Sequence, residues 1–158
     1  MKRNRKGAAR RRRTLRAWDY DHARAAVPYL TSILRSLREL YLEAAFHSRE
    51  ASRLADRPGR PDRHALIARE EALQAAAEAR RRFDEALTEM EALDVFCLDP
   101  VKGQALIPFV HDNELAWYVL DLFDKEPLRF WRYHTDPLET RRPVLAEPEK
   151  AEEGTWLA

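Results

Sequence analysis

The sequence predicts an α+β fold: a long antiparallel helical hairpin packed at its base on a small antiparallel β-meander. Three observations carry this reading. Apolar residues recur every three or four positions from Val27 to Ala44 and every three, four or seven from Leu66 to Met90, with Arg57-Pro58-Gly59-Arg60-Pro61-Asp62 between the two runs. After Asp94 the apolar period shortens from that of a helix to the alternation of a strand. The stretch Leu115–Phe123, with its sequel Leu128–Tyr133, holds two of the four tryptophans and reads as a β-hairpin at the densest part of the core. With 158 residues the chain has room for one ordinary domain plus tails. We expect a basic tail over 1–16, a single α+β domain over 17–144 and an acidic tail over 145–158, both tails disordered.

Trp18-Asp19 opens the first helix, expected over about 20–54. The Asp19 carboxylate suits the N-cap, where it accepts from amides two or three residues on, and Asp21 favours the helix dipole. Val27, Leu30, Leu34, Leu37, Tyr41 and Ala44 form a coiled-coil-like seam, widened by Ile33 and Leu40. Pro28 inside it predicts a kink or a helix start nearby. Arg57–Asp62 is the turn. The second helix, about 63–93, has the seam Leu66, Leu73, Ala76, Phe83, Leu87 and Met90, and its alanines (Ala72, Ala75, Ala77, Ala79) favour helix and close approach. Two such helices reach about 45–50 Å. Their bulky residues lie toward the base, so the base packs on the sheet and the alanine-rich, charged tip projects or meets a second copy.

Strands are expected at about 95–98, 105–110, 115–123 and 128–133. Pro108 argues for an edge or a bulge in the second. His111-Asp112-Asn113-Glu114 is a polar hairpin turn, and 115–123 is apolar on both faces, as in a strand covered on both sides. Residues 134–144 read as an irregular return. Trp156-Leu157 in the acidic tail are expected to hang free, with docking on the domain as the alternative.

Composition sets the class. A hydrophobic fraction of 45% and a charged fraction of 35% describe a soluble, charge-rich globular chain. No apolar run approaches the roughly 18 residues of a membrane span, so no membrane association is expected. No secretory signal is read in the start, because no apolar segment follows its arginines; with a single cysteine, Cys97, there is no internal disulfide, and the chain reads as cytoplasmic. The net charge of +1 conceals an imbalance: nine of the 28 basic side chains fall in residues 1–16 with no acid among them, leaving 19 against 27 acidic residues, a net of −8.

The pattern resembles the DUF2203 family of small bacterial and archaeal proteins, in which a helical hairpin precedes a short β-region. The resemblance rests on Trp18-Asp19-Tyr20-Asp21-His22 and Ala26-Val27-Pro28 at the helix start. In the β-part it rests on Leu98-Asp99, Gly103, Pro108-Phe109, Trp117, Glu126-Pro127, Phe130-Trp131 and Arg141-Arg142-Pro143-Val144. It covers roughly residues 17–145. Two positions depart from the family pattern: Arg132 stands where the family has histidine, and Thr140 where it has glycine. The family has no assigned activity, so the resemblance implies a fold and no reaction.

Four glycines cannot assemble a phosphate-cradling loop, no serine nucleophile elbow is present, and nothing around Cys97 marks an activated thiol. Two sets of residues are candidate sites. His111, Asp112 and Glu114 lie on one predicted turn and His134, Asp136 and Asp99 on others; at a shared sheet end they offer N and O ligands to a metal. The same residues are ordinary turn composition, and no metal or other cofactor is expected. Arg129, Trp131, Arg132, Arg141 and Arg142 form either structural arginine pairs or a partner surface. The functional expectation is a non-enzymatic interaction protein that self-associates or binds a partner through the hairpin. The alternative partner is nucleic acid or ribosome surface, bound without sequence preference through Lys2, Arg3, Arg5, Lys6, Arg10, Arg11, Arg12, Arg13 and Arg16. A metal-dependent activity at the sheet turns is a third class.

Overall fold

In the computed structural model, residues 14–145 are described. The chain forms α1 (Tyr20–Ala55), α2 (Arg63–Ala92) and five strands: β1 (Phe96–Asp99), β2 (Gln104–His111), β3 (Glu114–Asp121), β4 (Phe130–Tyr133) and β5 (Arg142–Pro143). The strands make one antiparallel sheet in the order β1-β2-β3-β4-β5. This is the α+β architecture expected, a helical pair joined to an antiparallel meander. The basic residues from Lys2 to Arg13, and Trp156-Leu157, lie outside the described residues.

Both helices begin on the caps that their sequences supply. The Asp19 carboxylate accepts the His22 amide at 2.8 Å, and that of Asp62 accepts the Ala65 amide at 2.7 Å. α1 runs through Pro28, starting eight residues before it, so the proline does not mark the helix start. Near it, the Thr31 hydroxyl donates to the Val27 carbonyl. At the far end of α2, Asp94 takes a left-handed conformation (φ 59°) and its carboxylate accepts the Arg16 amide at 3.0 Å.

Alternation along the strands separates two apolar layers. Ala105, Ile107 and Phe109 of β2 and Ala116, Tyr118 and Leu120 of β3 face the hairpin base. There they join Ala23, Leu30, Ile33, Leu34 and Leu37 of α1 and Met90 of α2 in one core. On the outer face, Leu106, Trp117 and Val119 gather Leu15, Phe96, Leu98 and Leu115. Residues 116–120 are therefore all buried, which is why the sequence there lacks polar alternation. Trp18 ties the layers together. Its amide donates to the Pro108 carbonyl at 2.8 Å and its indole N–H to the Leu93 carbonyl at 3.1 Å. β1 pairs with β2 only as far as Leu106, so Pro108 lacks a donor on the side where no strand needs one.

The structure corrects four expectations. Leu66 and Leu73 do not lie in the seam between the helices: they are 53% and 43% exposed, while Ala72, Ala76 and Ala79 are buried. Each leucine sits one residue, about 100° of rotation, beyond a seam alanine, and the small side chains close the interface without it. β3 ends at Asp121 rather than at Phe123, because the Asp121 carboxylate accepts the Phe123 amide and turns the chain, leaving Phe123 exposed beneath the Arg38 guanidinium. Leu128 is buried but precedes β4, in the turn that Pro127 closes by accepting the Asp121 amide. The segment after β4 is not wholly irregular, since Arg142-Pro143 pairs with Phe130-Trp131 as β5.

The turn at Asp112-Asn113 has φ of 48° and 63°, the two left-handed positions of a two-residue hairpin turn, which Asp and Asn tolerate. Gly103 has φ +66°, its carbonyl accepts the Leu122 amide at 2.8 Å, and a Cβ there would lie 2.8 Å from Leu122 Cβ. Gly103→Ala is therefore expected to cost about 1–3 kcal/mol through strain and collision together. In urea unfolding this reads as a lower midpoint with an unchanged slope.

Candidate functional site

β1 and β2 meet the helices, whereas β4 and β5 lie toward the opposite edge, where inner-face side chains are only partly covered. The register there sets Tyr118 beside Trp131, and Trp131 beside Arg142. Phe109 stacks on Tyr118 with ring centres 3.9 Å apart, and Tyr20 of α1 meets Tyr118 edge-on at 6.0 Å. His111 lies 4.5 Å from Trp131 and 5.7 Å from Tyr133, and these two rings meet edge-on at 4.9 Å. The Arg142 guanidinium covers Tyr133 at 4.9 Å and Trp131 at 5.5 Å.

Such a cluster of aromatic faces attracts a cation, and here the chain supplies its own. Asp136 holds that cation in place, accepting from Arg142 Nε at 2.9 Å and Nη2 at 3.0 Å, and it also accepts the Tyr133 amide at 2.9 Å. The Arg142 hydrogen bonds hold the Asp136 carboxyl below its ordinary value of 3.8, with the Tyr133 amide adding to them against the effect of burial. The Tyr133 phenol is pushed up, first by burial and then by Asp112, whose carboxylate accepts its O–H at 3.4 Å. The arrangement fastens β5 to the sheet and fixes the ring orientations.

Arg132, one residue along, points to the other face and is 4% exposed. Its Nη2 donates to the Asp136 carbonyl at 2.7 Å and its Nε to the Pro137 carbonyl at 3.4 Å. This arginine stands where the resemblance places histidine, and it folds the loop after β4 over the outer face. Beside it, Trp117 donates its indole N–H to His134 Nδ1 at 3.1 Å.

The candidate metal set is therefore divided. His111 packs on Trp131 of the inner face and His134 on Trp117 of the outer face, so the sheet stands between them. Asp112 lies near His111 (3.6 Å), Glu114 is exposed opposite His111, and Asp136 is taken by Arg142. Asp99 is at the far end of the strands, accepting the Val101 and Lys102 amides. Among the described residues no three His, Cys, Asp or Glu side chains are grouped to hold a metal ion. The arginine set is divided as well. Trp131 and Arg142 share the inner face and Arg132 the outer. Arg129 lies over Phe130 and 3.9 Å from Asp124, and Arg141 donates to the Leu138 and Thr140 carbonyls.

Of the basic residues expected to bind nucleic acid, Arg16 is described, and it is exposed. Sequence reasoning missed Tyr20, Phe109 and Tyr118 as members of the aromatic cluster. Their signal was the alternation 107-109-111, but only the register shows that Trp131 stands across from it. Cys97 is partly buried, and burial, with Asp99 adding, pushes its thiol up to about 11, so it stays protonated near neutral pH.

One prediction separates the buried Arg132 from the exposed Arg129, and a second tests the Asp136–Arg142 clamp. Arg132→Ala removes a buried side chain and the donor to the part-buried Asp136 and Pro137 carbonyls, and is expected to cost about 1–2 kcal/mol in urea unfolding, against about 0.5 kcal/mol or less for Arg129→Ala. Because the Asp136 value is lowered in the folded state, its contribution is complete above the ordinary carboxylate value and is lost as pH falls through the lowered one. Asp136→Asn should therefore lower the melting temperature near neutral pH, and the gap to wild type should begin to narrow near about pH 4 and close only as pH falls through the lowered value.

Neither a search of curated proteins nor one of solved structures returned a match. Residues 16–144 match the family described as "Uncharacterized conserved protein (DUF2203)", which spans both helices and the whole sheet. The chain thus belongs to the DUF2203 family.

Proposed function

We propose that this is a non-enzymatic interaction protein whose helical hairpin associates, through the half that extends beyond the sheet, with a second copy of itself. One observation carries the reading. The distal helix–helix interface is closed by Ala51, Ala72, Ala76 and Ala79, while Leu42, Phe46, Leu66, Ile67 and Leu73 stand between 37% and 59% exposed. Leu66 and Leu73 are seven residues apart on one stripe of α2, and Leu42 and Phe46 four apart on one stripe of α1. Apolar stripes at this spacing are what a further helix packs against, and burying them in a symmetric pair removes the cost of leaving them in water.

A second reading is favoured by charge. Nine basic residues in 1–16 precede a remainder of net −8, and such a block binds polyanions by counterion release.

Sedimentation across about 1–100 μM is expected to show a concentration-dependent increase in mass. Leu66→Glu with Leu73→Glu should return the protein to monomer, with little change in melting temperature at the dilute end of the range, where the wild type is also monomeric, and a lower melting temperature than wild type at the concentrated end. A monomer at every concentration, or association untouched by the double substitution, contradicts the reading.

A further inference from the structure

The hairpin tip differs in charge from the rest of the body. Residues 47–69 carry six arginines (Arg49, Arg53, Arg57, Arg60, Arg63 and Arg69) against three acids, whereas the rest of 17–158 carries 13 basic residues against 24 acidic. Two of the three acids are engaged, Glu50 by Arg53 and Asp62 by the Ala65 amide that it caps. Arg57, Arg60, Arg63 and Arg69 are exposed, and no described carboxylate forms an ion pair with them. Arg57, Arg60 and Arg69 line one open cleft of about 180 Å³ at the turn. Pro58 and Pro61 stiffen the backbone that presents them, so less freedom is lost when a ligand orders it. The C-terminal end of α1 and the N-terminal end of α2 meet here with opposing dipoles, which leaves the side chains to set the sign of the field.

We infer that this tip is a docking surface for the phosphate backbone of nucleic acid, separate from the basic residues of 1–16. The guanidinium fork matches phosphate oxygens in pairs. Exposed arginines gain little from one isolated anion but gain substantially from a polymer that releases its counterions. Residues 47–69 contain no lysine and no Phe, Tyr or Trp, and the exposed apolar residues in or beside them, Phe46, Leu66 and Ile67, are those assigned above to self-association. The acidic remainder repels a polyanion, so the rod meets it end-on. The inference goes beyond self-association and stands first on Arg57 and Arg60, which lie in the turn outside the apolar stripes; Arg69 lies one helical turn from both Leu66 and Leu73, and Leu66 and Asp62 also line the cleft.

The test uses the full-length protein and a labelled single-stranded RNA of about 20 nucleotides, with anisotropy measured from about 50 to 300 mM KCl. Arg57→Gln, Arg60→Gln and Arg69→Gln together should flatten the slope of log affinity against log salt by about 2 and weaken binding about tenfold or more near 100 mM. The same change in slope is expected when the nine basic residues of 1–16 are already glutamine. The three lysine replacements should keep the slope. Should the triple variant fail to fold, Arg60→Gln alone is expected to reduce the slope by about 0.7. The inference is overturned by wild-type protein that does not bind, or by a slope unchanged in the glutamine variants. It is also overturned if the loss appears only with phosphatidylserine vesicles, which would assign the tip to a membrane.

Discussion

The size of the side chains between the two helices governs the rest of the molecule. Near the sheet the interface is filled by Leu30, Ile33, Leu34, Leu37 and Met90, all buried, and these same residues reach the inner face of β2 and β3. Farther out it is closed by alanines. An alanine interface lets two helices approach closely but buries little apolar area, so the distal half contributes less to its own stability than the base does. That half nevertheless keeps large apolar residues pointing to water. A chain shaped only for monomer stability would place Leu66 and Leu73 in the seam, one residue away from where they stand.

The sheet responds to the same constraint. Its inner face must match the helix bases, and among the described residues no second layer of secondary structure covers its outer face. The outer face is closed instead by small devices: Leu15 beside Leu106 and Val119, the Trp117–His134 hydrogen bond, and the Arg132 guanidinium holding the loop after β4. Trp18 joins the sheet to the helices by bonding both the Pro108 and the Leu93 carbonyls. The aromatic cluster around Trp131 belongs to the same logic. It is closed by the chain's own Arg142, clamped by Asp136, and so it ties down the last strand.

Much of this was legible in the sequence, for reasons that can be named. The first helix start was written in Asp19, the turns in Arg57–Asp62 and His111–Glu114, and the change of fold class in the shift of period after Asp94; that Asp62 caps the second helix came only with the structure. The helical face of α2 was misread because Leu66 and Leu73 carry the larger hydrophobic weight, while a seam of alanines has almost none and is recognised only once both helices are in place. β5 was missed because two residues carry no period. The candidate site failed to assemble for a geometric reason: residues close in sequence, such as Trp131 and Arg132, fall on opposite faces of a strand. Conversely, Phe109, Tyr118 and Trp131 come together only through the register.

The account turns on the distal hairpin being an association surface rather than an incidental extension. Amide hydrogen exchange on the full-length protein, at micromolar and at submillimolar concentration, addresses this most directly. Slower exchange at the higher concentration, confined to the distal parts of α1 and α2 that carry Leu42, Phe46, Leu66 and Leu73, is the predicted result. Exchange in those segments that does not depend on concentration, or protection that rises only over the sheet, would contradict it.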